Sequence, residues 1–217
     1  RGDGARGPGA GCRQPRRSYG VGRSARRADS QAMNGVGTLD WIPILDRPDL
    51  LAAPVAAALA DAPLDQGAPS VLVAEIDPGL ADTAAFCAAY EVGLEISANC
   101  VVLGAKRSGA TLLAACLVLA TTRADVNGVA RRRLEARKAS FAAMDVAMAE
   151  TGMEHGGITP VGLPHGWPLL VDAAVAATDR VIVGSGLRRS KLLLPGDLVA
   201  SLPGAAVVEG LGVPTPG

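Results

Sequence analysis

The sequence Gly-Gly-Ile-Thr-Pro-Val-Gly-Leu-Pro at residues 156–164 interrupts regular secondary structure more firmly than any other stretch of this chain. Three glycines and two prolines within nine residues exclude both a helix interior and a central strand. Because glycine lacks a Cβ atom, the backbone of such a loop can approach a ligand closely. Two interpretations stay open: a loop whose main-chain groups bind a developing oxyanion, or a structural turn between a helix and a strand.

The charge of the chain is balanced overall but unevenly distributed. Its 217 residues carry no formal net charge, yet residues 1–32 hold eight Arg and two Asp, a local balance of +6 that leaves −6 for the rest. The body is therefore mildly acidic and lacks the basic surface expected of a general polyanion-binding protein. Any nucleic acid would have to be bound at a local site.

Composition divides the chain into four parts. Residues 1–32 are rich in Arg and Gly and predict a disordered tail. A targeting peptide and a nucleic-acid-binding arm are both open for this tail, but we favour a third interpretation, in which Met33 opens the native protein. A helical segment is expected over residues 33–64, a folded domain over 65–210 and a short disordered tail over 211–217.

The cysteines and histidines indicate neither a metal site nor a redox centre. The four cysteines lie at unrelated spacings without a CxxC pair, so we expect buried, reduced thiols and a cytoplasmic protein. His155 and His165 have neither a helical nor a hairpin spacing for metal ligands. No cofactor is predicted, and the longest apolar stretch, Leu112 to Ala120, is too short to cross a bilayer.

Helical and strand patterns alternate along residues 70–208 and predict a mixed α/β domain. Two apolar strands, Ile96 to Ala105 and Thr111 to Thr121, form a hairpin signal around Ser108-Gly109. The second is nearly all apolar, which predicts a central position covered on both faces. Helix caps are expected at Asp82 and Asp125, and further strands are expected over 168–172, 180–184, 191–194 and 205–208.

Common catalytic and nucleotide-binding motifs do not account for the glycine-rich segments. Gly184-Ser185-Gly186 is too short for the nucleophile elbow of a serine hydrolase. It also fails as a dinucleotide fingerprint, because Arg189 stands where the third glycine belongs and a strand-like segment follows where a helix is required.

Four motifs in order resemble the YbaK/EbsC family, the prolyl-tRNA-editing-like aminoacyl-tRNA deacylase domain. They are Gly156 to Gly162, Leu169 to Asp172, Val181 to Gly186, and Pro195-Gly196-Asp197-Leu198. The resemblance implies a mixed β-sheet or partial barrel with flanking helices. It also implies a trans-acting enzyme that hydrolyses the ester of a mischarged tRNA through the backbone of the glycine loop, assisted by the substrate's own 2′-hydroxyl.

The resemblance also implies the residues of the site and its partners. The implied catalytic loop comprises Gly156, Gly157, Thr159 and Pro160, and the substrate-binding residues are Asn99, Gly162, Asp172, Gly184, Ser185 and Lys191. The implied partners are the 3′ end of a mischarged tRNA and an aminoacyl-tRNA synthetase; neither a metal nor a membrane is involved.

One departure from the family pattern bears on the activity. The family carries a lysine on an early core strand, and Asn99 occupies that place in Ala98-Asn99-Cys100-Val101. Asparagine donates a hydrogen bond but carries no charge. We therefore hypothesise that Lys191 supplies the positive charge from another strand; the alternative for Lys191 is a solvent-facing surface residue. Because the family lysine is absent, a second interpretation stays open, in which the protein is a non-catalytic homologue that binds aminoacyl-tRNA, a nucleotide or a synthetase.

Overall fold

The computed structural model describes residues 36–61 and 71–215. The predicted tail at 1–32 lies outside these ranges. The strands are β1 Ile42–Pro43, β2 Leu72–Glu75, β3 Ala98–Arg107, β4 Ala110–Leu119, β5 Thr122–Ala124, β6 Lys138–Phe141, β7 Leu169–Asp172, β8 Arg180–Gly184, β9 Ser190–Pro195, β10 Ala205–Val208 and β11 Gly212–Pro214. The α-helices are α1 Ala53–Asp61, α2 Thr83–Ala89, α3 Arg131–Arg133, α4 Met144–Thr151, α5 Ala173–Ala176 and α6 Gly196–Ala200.

The strands form two main sheets and one short ribbon. The first sheet is antiparallel and has the order β1-β2-β9-β8. The second has the order β10-β7-β4-β3-β6 and is mixed, because β10 and β4 run parallel to β7 whereas β3 pairs antiparallel with β4 and β6. Strands β5 and β11 form the ribbon. The predicted mixed α/β fold is confirmed, in the form of separate mixed sheets with flanking helices.

Strand β4 occupies the centre of the second sheet, as its apolar sequence predicts. Successive strand side chains point to opposite faces, and here both faces are buried. Ala115 and Leu117 pack into one hydrophobic cluster with β8, β9 and α1, while Ala114 and Cys116 pack into a second cluster beneath the helical turns at 126–133. The hairpin with β3 fixes the register of the strand that carries Asn99, which lies opposite Val118.

The N-terminal segment packs as part of the same domain. Helix α1 begins at Ala53, so Pro54 lies in its first turn, where proline is tolerated. Val55 and Leu59 are buried against strands of the first sheet, and β1 pairs with β2. The helix predicted within residues 33–64 is thus present in its described part, after two 3-10 turns at Ile44–Asp46 and Pro48–Leu50.

The tail predicted at residues 211–217 is wrong for the described residues 211–215. Leu211 is fully buried, and Gly212–Pro214 pairs antiparallel with Thr122–Ala124. The Gly212 amide also donates to Asp172 Oδ2 at 2.6 Å. These contacts come from distant parts of the chain, so they hold a segment whose own composition carries no strand signal.

The predicted caps are present, and Cys87 and Cys116 are buried as predicted, whereas Cys100 is half-buried and lines a cavity. The carboxylates of Asp82 and Asp125 accept hydrogen bonds from backbone amides in the first turns of α2 and of the π-helical turn at Val126–Ala130. The cysteines of the described residues are free. Burial raises the pKa of the Cys116 thiol to about 12 and also raises that of Cys100. A thiol held in its protonated form is a poor nucleophile.

Candidate functional site

A cavity of about 560 Å³ opens where the two main sheets meet. An isolated parallel bridge between Ser97 and Ile182 brings the beginning of β3 alongside β8. The lining includes the β3 backbone, the end of β8 and the loop after α4. Polar side chains from separate segments also line it, among them Asp82, Thr83, Asn99, Arg123, His155 and Lys191.

The glycine loop lines one side of the cavity through Gly156 and Ile158. Gly156 has φ +79°, a conformation that favours glycine. The Gly157 amide donates to Glu154 O at 2.9 Å and closes a turn. Among the residues the structure describes, the amides of Gly156 and Ile158 have no hydrogen-bond partner. Backbone amides without a partner can stabilise an oxyanion when they point toward it.

Close backbone contacts fix the position of this loop. The Gly186 amide donates to Gly157 O at 2.8 Å. A Cβ atom on Gly184 would lie 2.2 Å from the same oxygen, so the end of β8 and the loop meet at a distance that only glycine permits. Within the loop, Gly157 therefore has a structural role, whereas Gly156 is exposed at the cavity.

Arg188 ties the loop to the segment before α2. Its Nη1 donates to His155 O at 2.9 Å and its Nη2 donates to Pro78 O at 3.0 Å. The backbone amide of Arg188 donates to Glu154 Oε2 at 2.7 Å. One guanidinium group therefore links the backbone before Gly156 to the turn before α2.

Asn99 lines the cavity from β3 and is oriented by one neighbour. Thr83 Oγ1 donates to Asn99 Oδ1 at 2.6 Å. The carboxamide oxygen is thereby used, so the NH₂ group of Asn99 is the part that is left to donate to a ligand.

Lys191 is buried rather than solvent-facing, because Ala81 and Phe86 cover the face of β9 that carries it. Its side chain is 6% exposed and lines the same cavity as Asn99 and Gly156. Its Nζ donates to Ala81 O at 2.9 Å and lies 5.2 Å from the centroid of the Phe86 ring. No ion pair among the described residues includes it.

The electrostatics of Lys191 follow from that burial. Removal from water lowers the pKa of its ammonium group to about 8, against an ordinary value of 10.5, although the Asp82 carboxylate opposes the shift. An ammonium group with a carbonyl and a ring as its neighbours retains donors for a ligand. The cavity thus contains a buried ammonium group that makes no ion pair with the carboxylates of the described residues.

The cavity brings together Gly156, Asn99, Gly184 and Lys191, but not the other residues predicted for the site. Thr159 and Pro160 are buried behind the loop, and Thr159 Oγ1 has no partner among the described residues. A Cβ atom on Gly162 would lie 2.5 Å from Pro54 O, which is a packing contact. Ser185 Oγ is buried 2.7 Å from Ser190 Oγ.

Asp172 does not line the cavity, which corrects its predicted role. Its Oδ1 accepts from the Ala174 amide at 2.9 Å and so caps α5, while its Oδ2 accepts from the Gly212 amide. Both carboxylate oxygens therefore serve the fold. An acidic residue at the end of a strand and the beginning of a helix often acts as such a cap.

Replacing Asp172 with Ala is expected to lower stability while leaving the site intact. The loss of a helix cap and of a charged hydrogen bond should cost about 2–3 kcal/mol in the free energy of unfolding, measured by urea denaturation. Asp197→Ala, which removes an exposed carboxylate bonded to the Leu198 amide, is the control and should cost less than about 1 kcal/mol. A ligand-binding defect in Asp172→Ala below its unfolding transition would contradict the structural role.

Most of the residues that line the cavity were not predicted for the site, and three of them are polar residues that could contact a ligand. Thr83 follows the helix cap Asp82, Arg123 lies on the short strand β5, and His155 lies in the loop after α4. The signal for His155 was its position directly before Gly156.

Within the described ranges no cluster of three or more His, Cys, Asp or Glu side chains could hold a metal ion. No helix in the same ranges has the length and apolarity that a bilayer crossing requires.

Solved structures share this fold. A proposed trans-editing enzyme for prolyl tRNA synthetase superposes with a TM-score of 0.58 at 21% identity, covering 72% of this chain and 96% of that chain. A protein from a study of epitope grafting onto scaffold proteins gives 0.60 at 22% identity, with 73% and 95% covered. A hypothetical protein superposes with a TM-score of 0.59 at 18% identity, covering 66% of this chain and 92% of that chain.

Sequence comparison identifies the family. No curated protein matches the chain significantly. A sequence model described as the aminoacyl-tRNA editing domain matches residues 77–201. The matched range includes Asn99, the loop at 156–158 and Lys191, which together surround the cavity. The chain belongs to the aminoacyl-tRNA editing domain family.

Proposed function

We propose that this protein is a trans-acting aminoacyl-tRNA deacylase that hydrolyses the ester of a mischarged tRNA in the cytoplasm. The observation that carries the proposal is the shared cavity, in which two unpaired amides of the glycine loop and one buried ammonium group line the same space. Membership of the editing family supports the reaction class.

The chemistry required is the addition of water to an ester carbonyl. As water attacks, the carbonyl oxygen gains negative charge, and the amides of Gly156 and Ile158 are donors for that charge. Collapse of the tetrahedral intermediate breaks the bond to the ribose oxygen. The products are the free amino acid and a tRNA with a free terminal hydroxyl group.

The remaining cavity residues orient the substrate in this proposal. The Lys191 ammonium binds the anionic or carbonyl oxygen atoms at the end of the tRNA, and the Asn99 NH₂ group donates to a ribose hydroxyl. The substrate's 2′-hydroxyl positions the attacking water. This division of labour requires neither a metal nor a nucleophilic side chain, and an aminoacyl-tRNA synthetase is the proposed protein partner.

Release of free amino acid from a panel of mischarged tRNAs tests the proposal. We expect the purified protein to accelerate hydrolysis of tRNA that carries at least one of the amino acids Ala, Cys, Ser and Pro. The neutral Asn99 in the place of the family lysine favours one alternative, a non-catalytic module that binds aminoacyl-tRNA. If no aminoacyl-tRNA is hydrolysed faster but tRNA binding is measurable, that alternative is supported and the deacylase is refuted.

A further inference from the structure

An exposed aromatic side chain stands at the mouth of the cavity. Phe141 is 63% exposed and lines the cavity. Aromatic residues make up only 3% of the sequence. It ends β6, where it pairs with Leu103 of β3, and the following Ala142 amide donates to Val102 O at 2.9 Å. The ring is therefore presented from a fixed backbone rather than from a mobile loop.

Met144 extends this apolar surface. It opens α4, is 49% exposed and also lines the cavity. We call Phe141 and Met144 the ledge. Exposed apolar groups that are continuous with a binding cavity indicate a contact surface, whereas a single exposed residue such as Leu45, which does not line the cavity, requires no such explanation.

We propose that the ledge stacks the terminal base of the tRNA, an inference that rests on the proposed function. An ester held at Gly156 is joined to a ribose, and the same ribose carries the terminal base. The base must therefore lie close to the ester, at the cavity mouth. A planar base has a π face that an exposed phenylalanine ring can cover, and such stacking tolerates any base.

A cation that lines the same cavity as the ledge fits the same occupant. Arg123 is exposed and lines the cavity from β5. A nucleotide presents a base and a phosphate together, so a cavity lined by both an aromatic ring and a cation suits it. A purely apolar protein segment would use the ring and the methionine but leave the guanidinium without an acceptor. This complementarity favours the nucleotide over a protein partner.

The test uses an uncharged RNA microhelix with 2-aminopurine as its 3′-terminal base, whose fluorescence falls when it stacks. With the full-length protein we expect quenching in the wild type and in Phe141→Trp. Phe141→Leu keeps an apolar side chain but has no π face, and it should lose the quenching and weaken binding about 5- to 150-fold, the range of ~1–3 kcal/mol per stacked base. Leu45→Ala is the control and should match the wild type.

A second measurement separates this proposal from the deacylase proposal. An aminoacyl ester of 1,4-anhydroribitol keeps the hydroxyl group next to the ester but has no base, so the loss of rate that Phe141→Leu causes on aminoacylated RNA should shrink on this substrate. If the wild type hydrolyses no ester but quenches 2-aminopurine through Phe141, base stacking stands and deacylation fails. If a folded Phe141→Leu variant quenches 2-aminopurine and binds the RNA as well as the wild type does, the stacking proposal is wrong. The ledge would then be assigned to a protein partner.

Discussion

Replacing Lys191 with Met is expected to make the protein more stable and far less active. The variant removes the buried ammonium group but keeps a side chain of similar length in the space between Phe86 and the Ala81 carbonyl. Loss of the cation should lower the single-turnover rate of deacylation about 100-fold, as expected for a preorganised electrostatic contact. Lys106→Met, at an exposed position on β3, is the matched control and should leave the rate unchanged.

The gain in stability follows from the direction of the pKa shift. The ammonium pKa is about 8 in the folded protein and 10.5 when unperturbed, so folding disfavours the charged form. This penalty is fully present below pH 8 and is relieved as the pH rises to 10.5. After the lost hydrogen bond is counted, Lys191→Met should raise the free energy of unfolding by about 2 kcal/mol at pH 7.

Urea denaturation of wild type and variant at several pH values checks this expectation. The difference between them should shrink from neutral pH toward pH 10.5, because the wild type gains stability over that interval. A variant that is less stable than the wild type at pH 7 would show that Lys191 serves the fold. A variant with full activity would show that its charge serves no substrate.

Replacing Gly156 with Ala is expected to slow deacylation about 100-fold with a modest loss of stability. The residue has φ +79°, which costs a non-glycine residue about 1–2 kcal/mol. An added Cβ atom would also lie 2.6 Å from Arg188 Nη1, so the guanidinium that holds His155 and Pro78 would have to move. The loop amides would then leave the position required by the developing oxyanion.

Gly166→Ala separates backbone strain from the catalytic effect. Gly166 has φ +83°, and an added Cβ atom there would meet no atom within 4 Å. Both variants should therefore lose a similar free energy of unfolding, while only Gly156→Ala loses deacylation under single-turnover conditions. Equal rates in the two variants would remove the loop from the mechanism.

Sequence patterns predict the fold better than they predict the side chains of the site. The hairpin, the central strand β4 and the caps at Asp82 and Asp125 were predictable because apolar periodicity and capping are local signals. The strand pairing of residues 212–214 was not, since it depends on contacts with β5 and with Asp172.

Burial explains why the positions of several site side chains differ from those that the sequence predicts. Lys191 follows two arginines and a serine, a context typical of an exposed turn, but Ala81 and Phe86 pack over its face of β9 and bury it. Asp172 ends an apolar strand close to the glycine loop in sequence, yet its carboxylate faces α5 and Gly212. Phe141 has no local signal, because its exposure results from where β6 ends.

Relocating the positive charge within the cavity tests the central claim most directly, namely that a lysine supplied from β9 acts with the loop amides on one ester. The double variant Lys191→Met with Asn99→Lys returns the charge to β3. Its single-turnover deacylation rate should recover at least about tenfold over Lys191→Met alone, since two residues that supply one charge do not act additively. A folded, tRNA-binding double variant that is as slow as Lys191→Met would contradict the claim.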